Sequence, residues 1–181
     1  MKYLEKDLEL KAILTVASLM VAAAKTAPKE RGINSLETLV VDGEEKKALA
    51  EEMRKIGTQT NQEYFLRDAD NIEQSACVVL FGATGEYHNV GHCGVCGVQN
   101  CGTARKLGVL CSYNIIDLGI ALGSAVSVAS MHHIDNRIMC SVGQAALSLR
   151  FFSENIPLVY GIPLSVSSKN PFHDRMPVKA Y

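Results

Sequence analysis

The chain is poor in large aromatic residues and in net charge. It has no tryptophan, and aromatic residues make up only 6% of its 181 residues, so the core must be built mainly from aliphatic and small side chains. Its 18 basic and 19 acidic residues leave a formal net charge of −1. Nucleic-acid-binding proteins typically carry an excess of positive charge. The sequence therefore predicts no nucleic-acid partner.

Features of secreted and membrane-spanning proteins are also lacking. Residues 12–24 are largely apolar, but this run is flanked by Lys11 and Lys25 and is too short to cross a bilayer. Glu5 and Glu9 stand where a signal peptide carries positive charge. We therefore expect a cytoplasmic protein with no membrane partner, in a compartment that keeps thiols reduced.

Cysteine is too sparse for a disulfide framework. The chain has six cysteines in 181 residues, whereas disulfide-stabilised scaffolds exceed about 8–10% cysteine. A chain of this length also buries enough surface to fold without cross-links. Four of the six cysteines are instead concentrated in one short segment, which is typical of metal ligation in a reducing compartment. We predict one domain comprising residues 1–181, with a metal or iron–sulfur segment at residues 91–111.

The clustered cysteines follow the spacing C-x2-C-x4-C-x9-C. Thiolates are the ligands that select iron–sulfur clusters, zinc or copper(I), and four thiolates match the requirement of a 4Fe–4S cluster. Four thiolates also suit a closed tetrahedral zinc site, although zinc ribbons usually carry two C-x2-C pairs and this sequence has one. The sequence favours a 4Fe–4S cluster over a structural zinc site in a non-enzymatic protein, with the ligands Cys93, Cys96, Cys101 and Cys111.

Other polar and sulfur-containing residues are expected to have structural roles. Cys77, in a predicted core strand, and Cys140 are expected to be buried as small hydrophobic residues. Asp68 and Asp70, which an arginine precedes, are expected in a solvated turn. Arg137 is expected to tie a loop to a carboxylate. No residue is predicted to be catalytic.

Hydrophobic periodicity and turn residues predict long helices interleaved with short strands. Gly119 and Gly123 lie inside one of the helices, where each glycine costs about 1 kcal/mol relative to alanine, so we expect close packing of another helix there. The class is α/β or α+β with one layered core. The predicted helices are 5–25, 44–56, 117–131 and 143–152, with a short helix within 58–75 and a helical turn at 102–107. The predicted strands are 36–41, 77–81, 158–162 and a segment within 134–142.

Several segments resemble a family of uncharacterised prokaryotic proteins that contain a ferredoxin domain. The resemblance runs from about residue 10 to residue 176, and implies a redox or electron-transfer protein with a 4Fe–4S cluster and a redox partner protein. If the chain is an enzyme, the resemblance implies an oxidoreductase. The cysteine segment is also similar to the 4Fe–4S domain of corrinoid iron–sulfur proteins, in which the fourth cysteine is usually more distant than Cys111 is here. The similar segments are residues 23–32, 67–71, 93–101, 117–125, 135–137, 161–165 and 169–175.

The order of the predicted elements is also similar to the FMN-dependent nitroreductase fold. This second resemblance implies an α+β fold, a three-layer α/β sandwich, with the cysteine segment as an insertion, and it implies a homodimer. In that family basic residues near the first helix and near the C-terminus hold the flavin phosphate. The family's usual Arg-x-Ser-x-Arg opening is absent, since residues 5–13 contain no arginine. The positions that correspond to the FMN-binding residues are Lys29, Arg31, Asn34 and Arg175.

Overall fold

An apolar strand, β2 (Cys77–Ala83), forms the centre of the fold. The computed structural model describes residues 1–173, and every residue of β2 is buried. β2 pairs antiparallel with β1 (Leu36–Val41) and with β4 (Leu158–Ser165), and the two-residue β3 (Asp135–Asn136) extends the sheet beyond β4. The strand order is β1-β2-β4-β3. A strand without polar side chains is expected where both faces of the sheet are covered.

Helices cover both faces of this sheet. They are α1 (Glu5–Thr26), α2 (Gly43–Thr60), α3 (Glu63–Gln74), α4 (Cys101–Leu107), α5 (Ser112–Met131) and α6 (Cys140–Ser148). Val79 and Phe81 pack against α1 and α5 on one face, whereas Val78 and Leu80 pack against α2, α3 and α6 on the other, as the alternation of side chains along a strand requires. The predicted three-layer α/β sandwich is therefore confirmed.

Small residues bring α1 and α5 close together. Ala24 on α1 and Ala121 and Ala125 on α5 are fully buried, and the Ser124 hydroxyl of α5 donates a hydrogen bond of 3.1 Å to the Ala23 carbonyl of α1. Alanines, rather than glycines, make this contact.

Within the described residues no helix packs against the glycines of α5, so the close packing expected there is not made inside this chain. A Cβ atom added at Gly119 or Gly123 would meet no atom of the described residues within 4 Å. Because the buried face of α5 is formed by other positions, both glycines lie on its outer face. Among residues 1–173, no contact at either glycine compensates for its cost in helix propensity.

The closest backbone contact lies between α6 and β4. A Cβ atom at Gly143 of α6 would lie 1.7 Å from the Val159 carbonyl oxygen of β4. Only glycine permits this approach. The contact seats α6 directly on the sheet, next to the central pair of strands.

Three sequence expectations outside the cysteine segment need correction. Cys140 is exposed, because it is the first residue of α6 rather than part of a core strand. Asp68 is buried in α3, where its carboxylate accepts hydrogen bonds from Arg67 and from the Ser141 hydroxyl at 2.6 Å, so it is not in a solvated turn. Arg137 donates to the Phe172 carbonyl and so ties down a loop through a backbone oxygen rather than a carboxylate.

Cys77 is buried as expected. Burial is the main cause that raises the pKa of its thiol to about 12. The thiol therefore stays protonated and behaves as a small hydrophobic side chain.

Candidate functional site

The four clustered cysteines lie on a loop and at two helix starts. Cys93 and Cys96 are half-buried in the loop of residues 84–100, between β2 and α4. Cys101 is half-buried as the first residue of α4, and Cys111 is buried as the N-cap of α5. The positive end of the dipole at a helix start stabilises a thiolate.

Tyr113 lies near both ends of the cysteine segment. The pKa of its hydroxyl is raised, foremost by the charge of Cys93 and also by burial, by Glu30, by a hydrogen bond with Cys93 and by Cys111. A raised pKa keeps the phenol protonated. Two cysteines that are 18 positions apart in the chain thus both act on one side chain.

The four thiols are not gathered into a ready metal site. Among residues 1–173, no three or more His, Cys, Asp and Glu side chains are arranged to hold a metal ion, and the six cysteines are free. Ligation of one centre by all four thiols therefore requires the loop to rearrange. Gly94 and Gly97 give the loop left-handed backbone conformations, with φ of 67° and 82°, which glycine adopts without strain.

A buried hydrogen-bond network supports the base of this loop. Both amide hydrogens of Asn114 are donated, to the Thr84 carbonyl at 2.8 Å and to the Glu86 carbonyl at 2.6 Å. The Asn114 amide oxygen therefore accepts, at 2.7 Å, from Nε2 of His88. This fixes the proton of a neutral His88 on Nε2. Its Nδ1 is buried and has no hydrogen-bond partner within the described residues.

Asp117 joins the same network from the next turn of α5. Its carboxylate accepts from the Glu30 backbone N–H at 3.0 Å and from the Ser35 hydroxyl at 3.1 Å, and it lies 3.7 Å from Nε2 of His88. Asp117 is only 2% exposed. The network therefore connects the segment before β1, the start of the cysteine loop and the start of α5.

Sequence reasoning missed this network. His88, Asn114 and Asp117 were not singled out as site residues: His88 and Asn114 belong to neither the C-x2-C spacing nor the family segments, and Asp117 only opens the similar segment 117–125, where it had no assigned role. One signal was available: Asn114 and Asp117 interrupt a helix that is otherwise apolar or small, and buried polar residues require partners.

The predicted flavin residues are committed to other contacts. The three donors of the Lys29 ammonium group are engaged by the carbonyls of Ala24, Lys25 and Ala27, at 2.7, 3.0 and 2.9 Å. Lys29 therefore closes the C-terminal end of α1, where a cation is favoured. Burial is the main cause that lowers its pKa.

The other predicted flavin positions also contact the protein itself. Arg31 donates to the His88 carbonyl at 3.0 Å, and the Asn34 amide donates to the Leu36 carbonyl at 3.4 Å. Lys29 and Asn34 line a cavity of about 370 Å³. Arg175 lies outside the described residues. All three donors of Lys29 are thus used internally, which does not fit a flavin phosphate at this residue. Arg31 and Asn34 are exposed and each donates one N–H in these contacts.

The buried hydrogen bonds of Asp117 predict that its replacement lowers the stability of the protein. The change Asp117→Ala removes the acceptor of the Glu30 N–H and the Ser35 hydroxyl, and each buried donor left unpaired costs about 1–3 kcal/mol. We expect the free energy of unfolding in urea to fall by about 2–5 kcal/mol. Asp117→Asn is the control, because its amide oxygen can accept from one donor and its NH₂ can donate to the hydroxyl. Equal losses in both variants would contradict a role in accepting hydrogen bonds.

Solved structures of nitroreductases share this fold. The chain is similar to a nitroreductase with bound FMN from Desulfitobacterium hafniense DCB-2, with TM-score 0.60 and 16% identity over 86% of this chain and 78% of that chain. It is similar to nitroreductase CinD from Lactococcus lactis in complex with nicotinic acid, with TM-score 0.60 and 10% identity over 93% and 83%. It is also similar to NfrA2 from B. megaterium, with TM-score 0.56 and 15% identity, over 86% of this chain and 58% of that chain. The predicted nitroreductase-like fold is confirmed.

Sequence comparison identifies the family within this fold. Residues 107–175 match the family described as "Uncharacterized protein containing a ferredoxin domain (DUF2148)". An uncharacterized protein of Archaeoglobus fulgidus is 37% identical over 183 residues, which cover 97% of this chain and 98% of that protein. The chain belongs to this ferredoxin-domain-containing family, as the resemblance implied. Family and fold together indicate a redox-related protein.

Proposed function

We propose that the protein is an electron-transfer protein that carries a 4Fe–4S cluster on Cys93, Cys96, Cys101 and Cys111. The ferredoxin-domain family and the redox chemistry of nitroreductases support this proposal. The donor set also fits, because four thiolates are the usual ligands of such a cluster. When bound, the cluster would supply a one-electron redox couple.

The placement of the four clustered cysteines is the observation that carries the proposal. All four lie on the loop of residues 84–100 or at the starts of α4 and α5, the two helices that follow it. This loop-and-helix segment therefore presents four soft ligands within 19 residues, as a 4Fe–4S cluster requires. Hydrogen bonds to ligating sulfurs help to set the potential of a cluster, so a donor such as the nearby Tyr113 hydroxyl would adjust the affinity of the centre for an electron.

Anaerobic purification and spectroscopy test the proposal. We expect brown protein whose visible absorption bleaches on addition of dithionite, together with an EPR signal of the reduced cluster. Protein that stays colourless after incubation with iron, sulfide and a thiol reductant would contradict the proposal. Incubation with zinc alone tests the alternative, a structural zinc site in a non-enzymatic protein. That alternative predicts that zinc raises the melting temperature.

Flavin binding is a separate hypothesis with its own test. The solved nitroreductase with bound FMN motivates it, whereas the internal hydrogen bonds of Lys29 weigh against a phosphate at this position. Equilibrium dialysis with FMN decides whether the protein binds the flavin. Saturable binding that Lys29→Met abolishes would establish the flavin site, and absence of binding at micromolar FMN would remove it.

The outer face of α5 supports a proposal that the protein forms a homodimer. Ile116, Gly119, Ile120 and Gly123 follow a spacing of three and four residues and so share one helix face. The two isoleucines are 47% and 42% exposed. α5 is also long and apolar enough to cross a membrane, but core helices of soluble proteins can have the same length and composition. A second copy would cover these side chains, and the open space at both glycines would admit its backbone.

The double change Gly119→Ala with Gly123→Ala separates helix stability from association. Alanine should stabilise α5 by about 1 kcal/mol at each position. In a dimer the added methyl groups would hold the two helices apart and raise the dissociation constant by about tenfold. Sedimentation velocity over a range of concentrations measures the association. Wild-type protein that is monomeric throughout the range would contradict the dimer.

A further inference from the structure

The chain segment that contains the cysteines carries positive charge and no acidic residues. Residues 87–116 contain Arg105 and Lys106 but no aspartate or glutamate, although acidic residues outnumber basic ones in the whole chain by 19 to 18. Both basic side chains are exposed on α4, the helix that Cys101 begins. In a chain of net charge −1, such a local excess of positive charge attracts an acidic partner to this part of the surface.

Two of the guanidinium groups are held in place beside this segment. The Arg105 guanidinium carbon lies 4.7 Å from the centre of the Tyr87 ring, a distance at which a cation and an aromatic ring attract. Arg31 reaches the adjacent residue, since it donates to the His88 carbonyl at 3.0 Å. Fixing these charges in advance lowers the entropy cost of binding a partner.

The same segment of the chain also has exposed apolar side chains. Val95, between the first two cysteines, is 53% exposed, and Leu107, at the end of α4, is 66% exposed. Apolar residues surrounded by charged ones are typical of transient protein interfaces, whereas nucleic acid and anionic lipid require more basic residues than this surface offers. Glu30 and Glu86 flank the surface, and Glu86 already accepts a hydrogen bond from Asn155.

We propose that this surface, formed by Arg31, Val95, Arg105, Lys106 and Leu107, docks an acidic protein with exposed apolar side chains. The proposal rests on the proposed function, because it places the electron-transfer partner over the cysteines. Complementary charge steers such encounters and speeds association, while a small apolar contact is enough for a transient complex.

Fluorescence anisotropy with two labelled polymers tests the surface. Poly-L-glutamate measures the charge effect, and a random copolymer of glutamate and tyrosine adds apolar groups. We expect Arg105→Glu with Lys106→Glu to weaken poly-L-glutamate binding about tenfold, and added salt to weaken wild-type binding. The copolymer should bind wild type more tightly than poly-L-glutamate does, and Leu107→Ser should remove that difference. Lys106→Glu alone leaves the Arg105–Tyr87 contact intact, and it should still weaken binding.

Lys2→Glu with Lys6→Glu is the matched control. It changes the net charge equally, at the opposite end of α1 from Arg31, and α1 with its 22 residues is about 33 Å long. We expect less than about a twofold effect from this control. Equal weakening in both double variants, or tighter binding of a DNA duplex or of phosphatidylglycerol vesicles, would overturn the proposal.

Iron analysis of the same samples separates this proposal from the proposed function. Iron-containing protein that does not bind poly-L-glutamate would overturn the docking surface alone. Protein that binds the polymers as described but takes up no iron would overturn the proposed function and leave the acidic-partner surface standing.

Discussion

The change Cys96→Ser should abolish iron binding and leave the fold intact. Serine has the size of cysteine but offers a hard oxygen in place of the soft sulfur that iron–sulfur clusters select. Cys96 lies in the loop of residues 84–100, outside both core clusters, so the free energy of unfolding should change by less than about 0.5 kcal/mol. Iron per chain after anaerobic reconstitution, measured beside the circular dichroism spectrum, gives both results.

Cys140→Ser is the control for this change. Cys140 is exposed at the start of α6 and lies outside the segment of residues 91–111, so its replacement should leave the iron content unchanged. Full iron content in Cys96→Ser, or equal loss in the control, would contradict ligation by the segment. Cys111→Ser then tests the fourth ligand, whose replacement should lower the iron content as Cys96→Ser does.

The change Gly143→Ala should prevent α6 from packing on the sheet. The added methyl group would lie 1.7 Å from the Val159 carbonyl oxygen and 2.3 Å from its carbonyl carbon. Both atoms belong to the backbone of β4, so relief requires movement of a strand in the middle of the sheet. We expect the free energy of unfolding to fall by more than about 4 kcal/mol, measured by urea unfolding, or the protein to be insoluble.

Gln144→Ala shows whether the helix itself tolerates alanine. Gln144 is the next residue of α6 and is exposed, so its replacement should change the free energy of unfolding by no more than about 0.5 kcal/mol. A stable Gly143→Ala variant with an unchanged urea midpoint would show that α6 does not lie as close to β4 as the structure places it.

Local sequence patterns predicted most elements of the fold. The strand at residues 36–41 was predicted with its observed bounds, and the apolar run from Cys77 marked the central strand. The helix α3 was predicted only as a short helix somewhere within residues 58–75, without bounds, because most of its residues are polar, although Phe65, Ala69 and Ile72 form a buried stripe. A stripe of three residues is a weak signal when charged residues surround it.

Long-range contacts were beyond sequence reasoning. The spacing of the cysteines singled out the candidate ligands, because soft ligands at short intervals have few other uses. By contrast, the His88–Asn114 pair joins residues that are 26 positions apart, and neither residue belongs to a motif. Lys29 matched a flavin position by order along the chain, yet its ammonium group binds the end of α1. That outcome depends on how the chain turns after Pro28.

The metal content of protein prepared without oxygen tests the central claim most directly. The account predicts about four iron atoms and four acid-labile sulfides per chain, held by the thiols of residues 93–111, with no stoichiometric zinc. About one zinc per chain without iron would contradict it and favour the structural site. Neither metal after incubation with iron and sulfide would contradict a metal centre of either kind.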